Sequence, residues 1–240
     1  MESKPLNVEI KSSSQLVQGM QAGLPIFLGY FPIAIAFGTL AVQAQFNWTE
    51  AVLMSLIVFA GASQFVGVSM FLAGAGAAQI IATTFFLNLR HLIMSLAIND
   101  QMRHFSGGWK GFLSFFITDE TFALLTLGGG DHRSERRTPA YMAGLMITAY
   151  LGWVTGTAVG GLGAGFIPVE ITTAMTVGLY GLFIGLLVPP ARKSLNFGII
   201  AVSSMILNWA LGLFMDAGWA IVLATIFAAG LGIILIKEDV

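Results

Sequence analysis

The chain has 240 residues, of which 56% are hydrophobic and only 10% are charged, whereas a typical soluble domain is about 25% charged. Its net charge of −1 argues against a nucleic-acid-binding protein, because such proteins carry a basic face. With a mean hydropathy of +0.84, the composition indicates an all-α polytopic membrane protein, whose 29 glycines suit close helix packing in lipid.

Eight apolar segments are each close to the roughly 20 residues that a spanning helix needs. They are predicted at Ala22–Val42, Ala51–Ala73, Gln79–Ile98, Gly111–Leu127, Ala140–Leu162, Glu170–Val188, Asn196–Phe214 and Gly218–Ile236. We therefore expect one transmembrane domain over residues 1–240, with about seven or eight transmembrane helices, some of them broken or re-entrant. A cytoplasmic segment at residues 1–20 precedes them and lacks the apolar core of a secretory signal. Within the first helix, Pro32 is expected to kink or open the backbone.

Weak internal similarity suggests two repeated halves, residues 21–130 and 131–240. Ala22–Ile26 resembles Ala143–Ile147, and Leu87–Asn88 matches Leu207–Asn208. Many transporters are built from duplicated halves with the binding site at their interface. Apolar sequence also produces chance matches, so a chain without duplication remains the alternative.

The distribution of Lys and Arg predicts that both termini are cytoplasmic, since cytoplasmic loops retain these cations. With the amino terminus inside, eight cations fall on the cytoplasmic side: Lys4, Lys11, Arg133, Arg136, Arg137, Arg192, Lys193 and Lys237. Only Arg103 and Lys110 then fall outside, and this assignment changes if an early segment is re-entrant.

Polar residues occur at the middle of three successive predicted helices. They are Ser63 and Gln64 in the second helix, Asn88, Arg90 and His91 in the third, and Asp119 and Glu120 in the fourth. A charge at the bilayer centre costs roughly 2.5–3.5 kcal/mol by insertion scales, so such groups are rare without a use. The shared depth therefore predicts one polar layer, and binding near the midplane is what alternating access requires.

Charge balance predicts how this layer is arranged. Arg90 is always protonated and should pair with Asp119 or Glu120, while His91 changes charge near neutral pH. Neighbouring helical residues point about 100° apart, so one acid can pair with Arg90 while the other stays available for a proton. The candidate proton-coupling residues are therefore His91, Asp119 and Glu120.

Other interpretations of these residues stay open. Arg90 with one acid could brace two helices, and Ser63 or Gln64 could bond across a helix interface. A channel could use the layer as a filter, and an intramembrane enzyme could use His91 as a base with Ser63 as nucleophile. The helical spacing of metal-binding motifs is absent from the sequence, and so are an ATP-binding motif and the motifs of common hydrolases. We therefore expect that the protein binds no metal or cofactor and is not an enzyme.

Three motifs at these positions resemble the AzlC family of branched-chain amino acid permeases. They are FAGASQF at Phe59–Phe65, NLRHLIMSLA at Asn88–Ala97 and TDETFAL at Thr118–Leu124. The resemblance implies export of branched-chain or related hydrophobic amino acids across a bacterial inner membrane. It also implies a small hydrophobic partner of the AzlD type.

We expect the amino acid to be bound within the polar layer. Its carboxylate would lie against Arg90 or a broken-helix amino terminus near Gly61–Ser63, and its ammonium against Asp119 or Glu120. The aliphatic side chain would contact the nearby Phe59, Phe65, Phe85 and Phe86. Proton coupling is an extension of this hypothesis, and an ion or small-solute channel is its alternative.

Overall fold

A computed structural model of the chain describes residues 12–127 and 138–235, and over these ranges the chain forms ten α-helices and no strand. The helices are α1 (Ser12–Gln43), α2 (Trp48–Ile57), α3 (Gly61–Leu72), α4 (Ala77–Asn99), α5 (Gly107–Ser114), α6 (Asp119–Leu127), α7 (Pro139–Gly163), α8 (Val169–Lys193), α9 (Leu195–Gly212) and α10 (Ala217–Leu235). Five of them, α1, α4, α7, α9 and α10, are long and apolar enough to cross a membrane. The predicted all-α polytopic fold is confirmed.

The centre of the bundle is the close pairing of α1 with α7. A Cβ at Gly152, Gly156 or Gly160 of α7 would meet atoms of Phe27, Phe31 or Ile35, respectively. Small residues four apart thus bring the two backbones into contact, as membrane helices require when lipid supplies no hydrophobic drive for association. These contacts advance in the same direction along both helices, so α1 and α7 run parallel. We call the end where both begin the amino end, and the end where both finish the far end.

Pro25 and Pro32 lie inside α1, which stays helical through both of them. Pro32 therefore does not end the helix. α1 begins at Ser12, ten residues before the predicted start at Ala22.

The second predicted span is interrupted and forms a hairpin of two short helices. Along α2, Trp48 lies against Gly161 of α7 and Ser55 bonds to Thr157, so this helix runs from the far end toward the middle. Along α3, the Phe65 ring packs on Phe37 and the Phe71 ring on Phe46, just past the end of α1. The chain thus returns to the far end, and α2 with α3 is re-entrant.

The fourth predicted span is also interrupted, between α5 and α6. α4 starts at the far end, after a four-residue linker that follows α3. Its 23 residues cover about 35 Å to the amino end. α5 follows there, and Phe115 and Phe116, which directly follow it, pack on Tyr150 near the middle of α7. Because α7 begins at the amino end, α5 and α6 together make no net crossing.

The two interruptions change the position of two cations. Eight uninterrupted crossings would place Arg103 and Lys110 at the far end. Because both residues follow α4, they lie at the amino end instead. α8 runs back from the far end, so Arg192 near its end joins them. The described cations outside the bundle interior therefore collect at one end, which strengthens the charge asymmetry seen in the sequence.

The predicted repeat is not matched by the positions of the breaks. α8 corresponds to the second predicted span in the proposed alignment, but it is one continuous helix of 25 residues. In the second half, α9 and α10 are continuous as well. Both interruptions therefore lie in the first half of the described chain.

Candidate functional site

The tip of the first hairpin is a sharp turn built by the FAGASQF motif. Phe59 has a φ of 42°, a left-handed conformation that side chains rarely adopt. Ser63 Oγ donates to the carbonyl of Ala60 at 2.9 Å, while Gln64 Oε1 accepts from the N–H of Ala60 at 3.2 Å. These bonds fix Ala60 and leave the N–H groups of Gly61 and the residues after it at the open amino terminus of α3.

Gln64 also ties the hairpin to its neighbours. Its Oε1 accepts from Trp153 Nε1 of α7 at 3.0 Å, and its Nε2 donates to Ser55 Oγ of α2 at 3.1 Å. Ser55 in turn bonds to Thr157 of α7 at 2.8 Å. This buried network connects three helices and sets the position of the tip.

The second interruption ends at a capped helix start. The N–H of Thr118 donates to Thr121 Oγ1 at 2.9 Å, and the N–H of Thr121 donates back to Thr118 Oγ1 at 3.4 Å. Such reciprocal bonds satisfy donors that a helix amino terminus leaves free. Asp119 and Glu120 occupy the first turn of α6, where carboxylates interact favourably with the helix dipole.

Arg90 of α4 pairs with the first of these acids. Its Nη1 lies 2.6 Å from Asp119 Oδ2, and the two side chains are 32% and 24% exposed. The guanidinium also lies over the Phe183 ring of α8, 5.5 Å from its centroid. Its Nε is buried and has no hydrogen-bond partner among the described residues.

Glu120 faces a different partner. The Tyr30 hydroxyl of α1 lies in hydrogen-bond contact with Glu120 Oε2 and is 2.8 Å from Thr118 Oγ1. The Tyr30 ring is held edge-on by Phe59 and Trp153. Tyr30 thus connects the start of α6 to the tip of the first hairpin.

These groups surround one central cavity, which lies where the amino termini of α3 and α6 converge. It is lined by Tyr30, Ile33, Phe59, Ala60, Gly61, Ala62, Arg90, His91, Thr118, Asp119, Glu120, Trp153 and Phe183. Its volume of about 30 Å³ accommodates about two water molecules. Sites for small molecules are commonly about 300–1,000 Å³, so an amino acid could enter only if the surrounding helices separated.

Four of the seven residues predicted for the site line the central cavity: Arg90, His91, Asp119 and Glu120. The other three, Ser63, Gln64 and Asn88, line an outer cavity between the hairpin and α4, with a volume of about 530 Å³. Ser63 and Gln64 are almost fully buried there and hold the tip, as described above. The Oδ1 atom of Asn88 is buried and unpaired within the described chain.

An inner cavity of about 190 Å³ lies on the other side of the hairpin tip, next to α5. Val58 and Asn88 line both the outer and the inner cavity, while His91 lines the inner and the central one. His91 Nδ1 lies 3.3 Å from the carbonyl oxygen of Asn88. The three cavities therefore adjoin one another along one face of α4.

The aromatic residues expected around the cargo are dispersed. Phe59 lines the central cavity, whereas Phe65 packs on Phe37 and the exposed Phe85 lines the outer cavity described above. Sequence reasoning missed Tyr30, Trp153 and Phe183, which complete the cavity wall. Among the residues that the structure describes, no three His, Asp or Glu side chains form a cluster suited to a metal ion.

The family model described as AzlC protein matches residues 25–167. The chain belongs to the AzlC family. The matched region extends from α1 through α7 and contains every residue that lines the central cavity except Phe183. Both interruptions and the Arg90–Asp119 ion pair fall within it, so the family model covers the whole candidate site apart from one ring of α8.

Related proteins match over most of the chain. An uncharacterized membrane protein of Archaeoglobus fulgidus is 31% identical over 83% of this chain and 89% of its own length. The inner membrane protein YgaZ of Escherichia coli is 30% identical over 84% of this chain and 83% of its own. The branched-chain amino acid transport protein AzlC of Bacillus subtilis is 25% identical over 68% of this chain and 64% of its own. No solved structure matches the chain.

Proposed function

We propose that this AzlC-family member is a secondary transporter that exports branched-chain or related hydrophobic amino acids. The observation that carries the proposal is the central cavity, where the Arg90–Asp119 ion pair meets the amino termini of two interrupted helices. Membership of the family and the transport protein of Bacillus subtilis support an amino acid as cargo. Interrupted helices whose amino termini face a midplane site are a recurrent feature of secondary transporters.

The ion pair offers one group for each charge of an amino acid. The carboxylate would bind Arg90, whose Nε is unpaired among the described residues, together with the N–H groups of Gly61 and Ala62. The ammonium would bind Asp119. When the substrate inserts between Arg90 and Asp119, each keeps an opposite charge, so no ion is left unpaired in the membrane. Phe59 and Trp153 supply apolar surface for the side chain.

The outer and inner cavities provide candidate routes to the site from the two sides of the membrane. They meet at Val58 and Asn88, beside the hairpin tip, and the inner cavity shares His91 with the central one. A tip that moves away from α4 would open one route, and a movement at the α5–α6 interruption would open the other. The tip borders both cavities through Val58, whereas Phe115 and Ile117 of the α5–α6 interruption border the inner cavity alone.

We assign the amino end to the cytoplasm of a bacterial inner membrane, since Arg103, Lys110 and Arg192 lie there. The inner membrane protein YgaZ supports this location. The exposed apolar faces of α4, α9 and α10 would contact lipid and a small AzlD-type subunit. Proton entry through His91, Asp119 or Glu120 would drive export.

A channel is the alternative function, and it would use the same polar groups as a filter. An enzyme is less favoured, because the Ser63 hydroxyl donates to Ala60 instead of facing His91. Counterflow separates a carrier from a channel, since only a carrier exchanges labelled for unlabelled substrate through a closed cycle.

The test is leucine counterflow in proteoliposomes that contain the purified protein, with its small subunit where one copurifies. We expect saturable counterflow that is lost in Arg90→Ala and Asp119→Asn. Arg103→Ala is the matched control, since this arginine is exposed outside the site. Non-saturable flux without exchange would establish the channel instead, and wild-type counterflow that persists in Arg90→Ala would remove the proposed site.

A further inference from the structure

Tyr30 of α1 brings a hydroxyl from a second helix into hydrogen-bond contact with Glu120, a carboxylate of the central cavity. Its ring is fixed between Phe59 and Trp153, so the hydroxyl has little freedom to move. The oxygen contacts Glu120 Oε2 on one side and Thr118 Oγ1 on the other. One hydroxyl proton therefore faces two acceptors, and it can satisfy only one at a time.

Which acceptor it satisfies depends on the charge of Glu120. When Glu120 is ionised it only accepts, so Tyr30 donates to it. When Glu120 carries a proton, its own O–H donates to the Tyr30 oxygen, and the Tyr30 hydroxyl turns to Thr118 Oγ1. Thr118 then donates to Thr121 Oγ1 at 3.3 Å, and Thr121 donates to the carbonyl of Thr118 at 3.2 Å. Every hydroxyl keeps an acceptor in both states.

Glu120 and the adjacent Asp119 have different partners in the central cavity. Asp119 forms an ion pair with Arg90, whereas Glu120 contacts the Tyr30 hydroxyl. The titratable and charged groups that face Glu120 across the cavity are Arg90 and His91 of α4, Asp119 of its own helix and Tyr30 of α1. The Tyr150 hydroxyl of α7 instead donates to the carbonyl of Leu56, outside this group.

We propose that Glu120 is the single site that binds the coupled proton, with Tyr30 as the residue that positions it. This rests on the proposed transport function and narrows its three candidate proton groups to one. The Arg90–Asp119 pair then serves the amino acid alone. Proton and substrate occupy adjacent groups on successive residues of one helix turn, so a movement of the α6 start affects both.

The test compares gradient-driven accumulation with counterflow in the same proteoliposomes, with the membrane potential held at zero by potassium and valinomycin. Exchange of one proton for one amino acid supports about tenfold accumulation per pH unit, because a factor of ten in concentration balances a factor of ten in proton activity. We expect Glu120→Gln to abolish this accumulation while some counterflow remains. Tyr30→Phe should shift the pH profile of accumulation, and Tyr150→Phe, the matched control, should leave that profile unchanged.

These measurements distinguish failure of this inference from failure of the transport proposal. Absence of counterflow in the wild type would overturn the transport proposal itself. If Glu120→Gln still shows both counterflow and gradient-driven accumulation, this inference is overturned and the transport proposal stands. The same holds if accumulation by the wild type does not depend on the pH gradient. If Glu120→Gln does not reach the membrane, the Tyr30→Phe profile decides, and a profile equal to that of the wild type overturns the inference.

Discussion

Replacing Gln64 by leucine tests whether this residue builds the hairpin tip or touches the cargo. The Gln64 amide makes three hydrogen bonds, to the N–H of Ala60, to Trp153 Nε1 and to Ser55 Oγ. Leucine has a similar volume but makes none of them. At about 0.5–1.5 kcal/mol for each bond, the loss is roughly 2–4 kcal/mol. We expect the apparent unfolding temperature of purified Gln64→Leu to fall by roughly 4–16 °C.

The assay is thermal unfolding of the detergent-solubilised protein, measured by tryptophan fluorescence or by loss of the monodisperse peak in size-exclusion chromatography. Gln43→Leu serves as the control, because Gln43 is exposed at the end of α1. Added leucine should stabilise Gln64→Leu by a margin similar to that of the wild type, provided the tip still forms. Unchanged thermal stability together with a loss of ligand stabilisation would refute the structural role and place Gln64 in the binding site.

Two further predictions concern the fold and the routes to the site. Gly156→Leu should prevent accumulation of folded protein, because the leucine side chain would enter the α1 backbone. Gly111→Leu should be tolerated, because open space surrounds that position. The yield of protein in the membrane checks both variants, and equal yields would contradict the packing of α1 on α7. The chain has no native cysteine, so Thr84→Cys in the outer cavity and Ser114→Cys in the inner cavity can be probed singly. Membrane-impermeant thiol reagents should label Thr84→Cys from outside and Ser114→Cys from the cytoplasm, and labelling of both from the same side would contradict the assigned topology.

The sequence predicted the ion pair at the centre of the site because charge in a membrane is so restricted. Arg90 could not remain uncompensated, and few acids lie at its depth, so pairing with Asp119 or Glu120 followed. The structure selected Asp119. Helix geometry alone could not make this choice, since it depends on how α6 faces α4.

Hydropathy did not locate the helix interruptions. The residues on both sides of Val58–Ala60 are as apolar as an uninterrupted span, so the second segment scored as one crossing. The small residues beside Ser63 and Gln64 did suggest a broken-helix amino terminus near Gly61–Ser63, and α3 begins at Gly61. The hydrogen bonds of Ser63 and Gln64 hold the turn, and their contact with the cargo stays a prediction.

Tyr30 and Phe183 were not predicted as site residues, for a different reason. Tyr30 lies in an aromatic stretch beside Phe31 and Pro32, where a single hydroxyl does not disturb an apolar pattern. Phe183 lies about 90 residues beyond Arg90, and nothing in its local sequence indicates that α8 crosses over that side chain. Both belong to the site only through contacts distant in sequence, which one sequence does not reveal.

The central claim is that Arg90 and Asp119 bind the two charges of one amino acid, and equilibrium binding tests it most directly. Labelled leucine should bind the purified wild-type protein saturably. Leucinol, which lacks the carboxylate, and 4-methylpentanoate, which lacks the ammonium, should compete weakly. Arg90→Ala should bind leucine no better than leucinol, and Asp119→Asn should bind it no better than 4-methylpentanoate. Leucine binding of wild-type strength in Arg90→Ala, with leucine still preferred over leucinol, would contradict the claim.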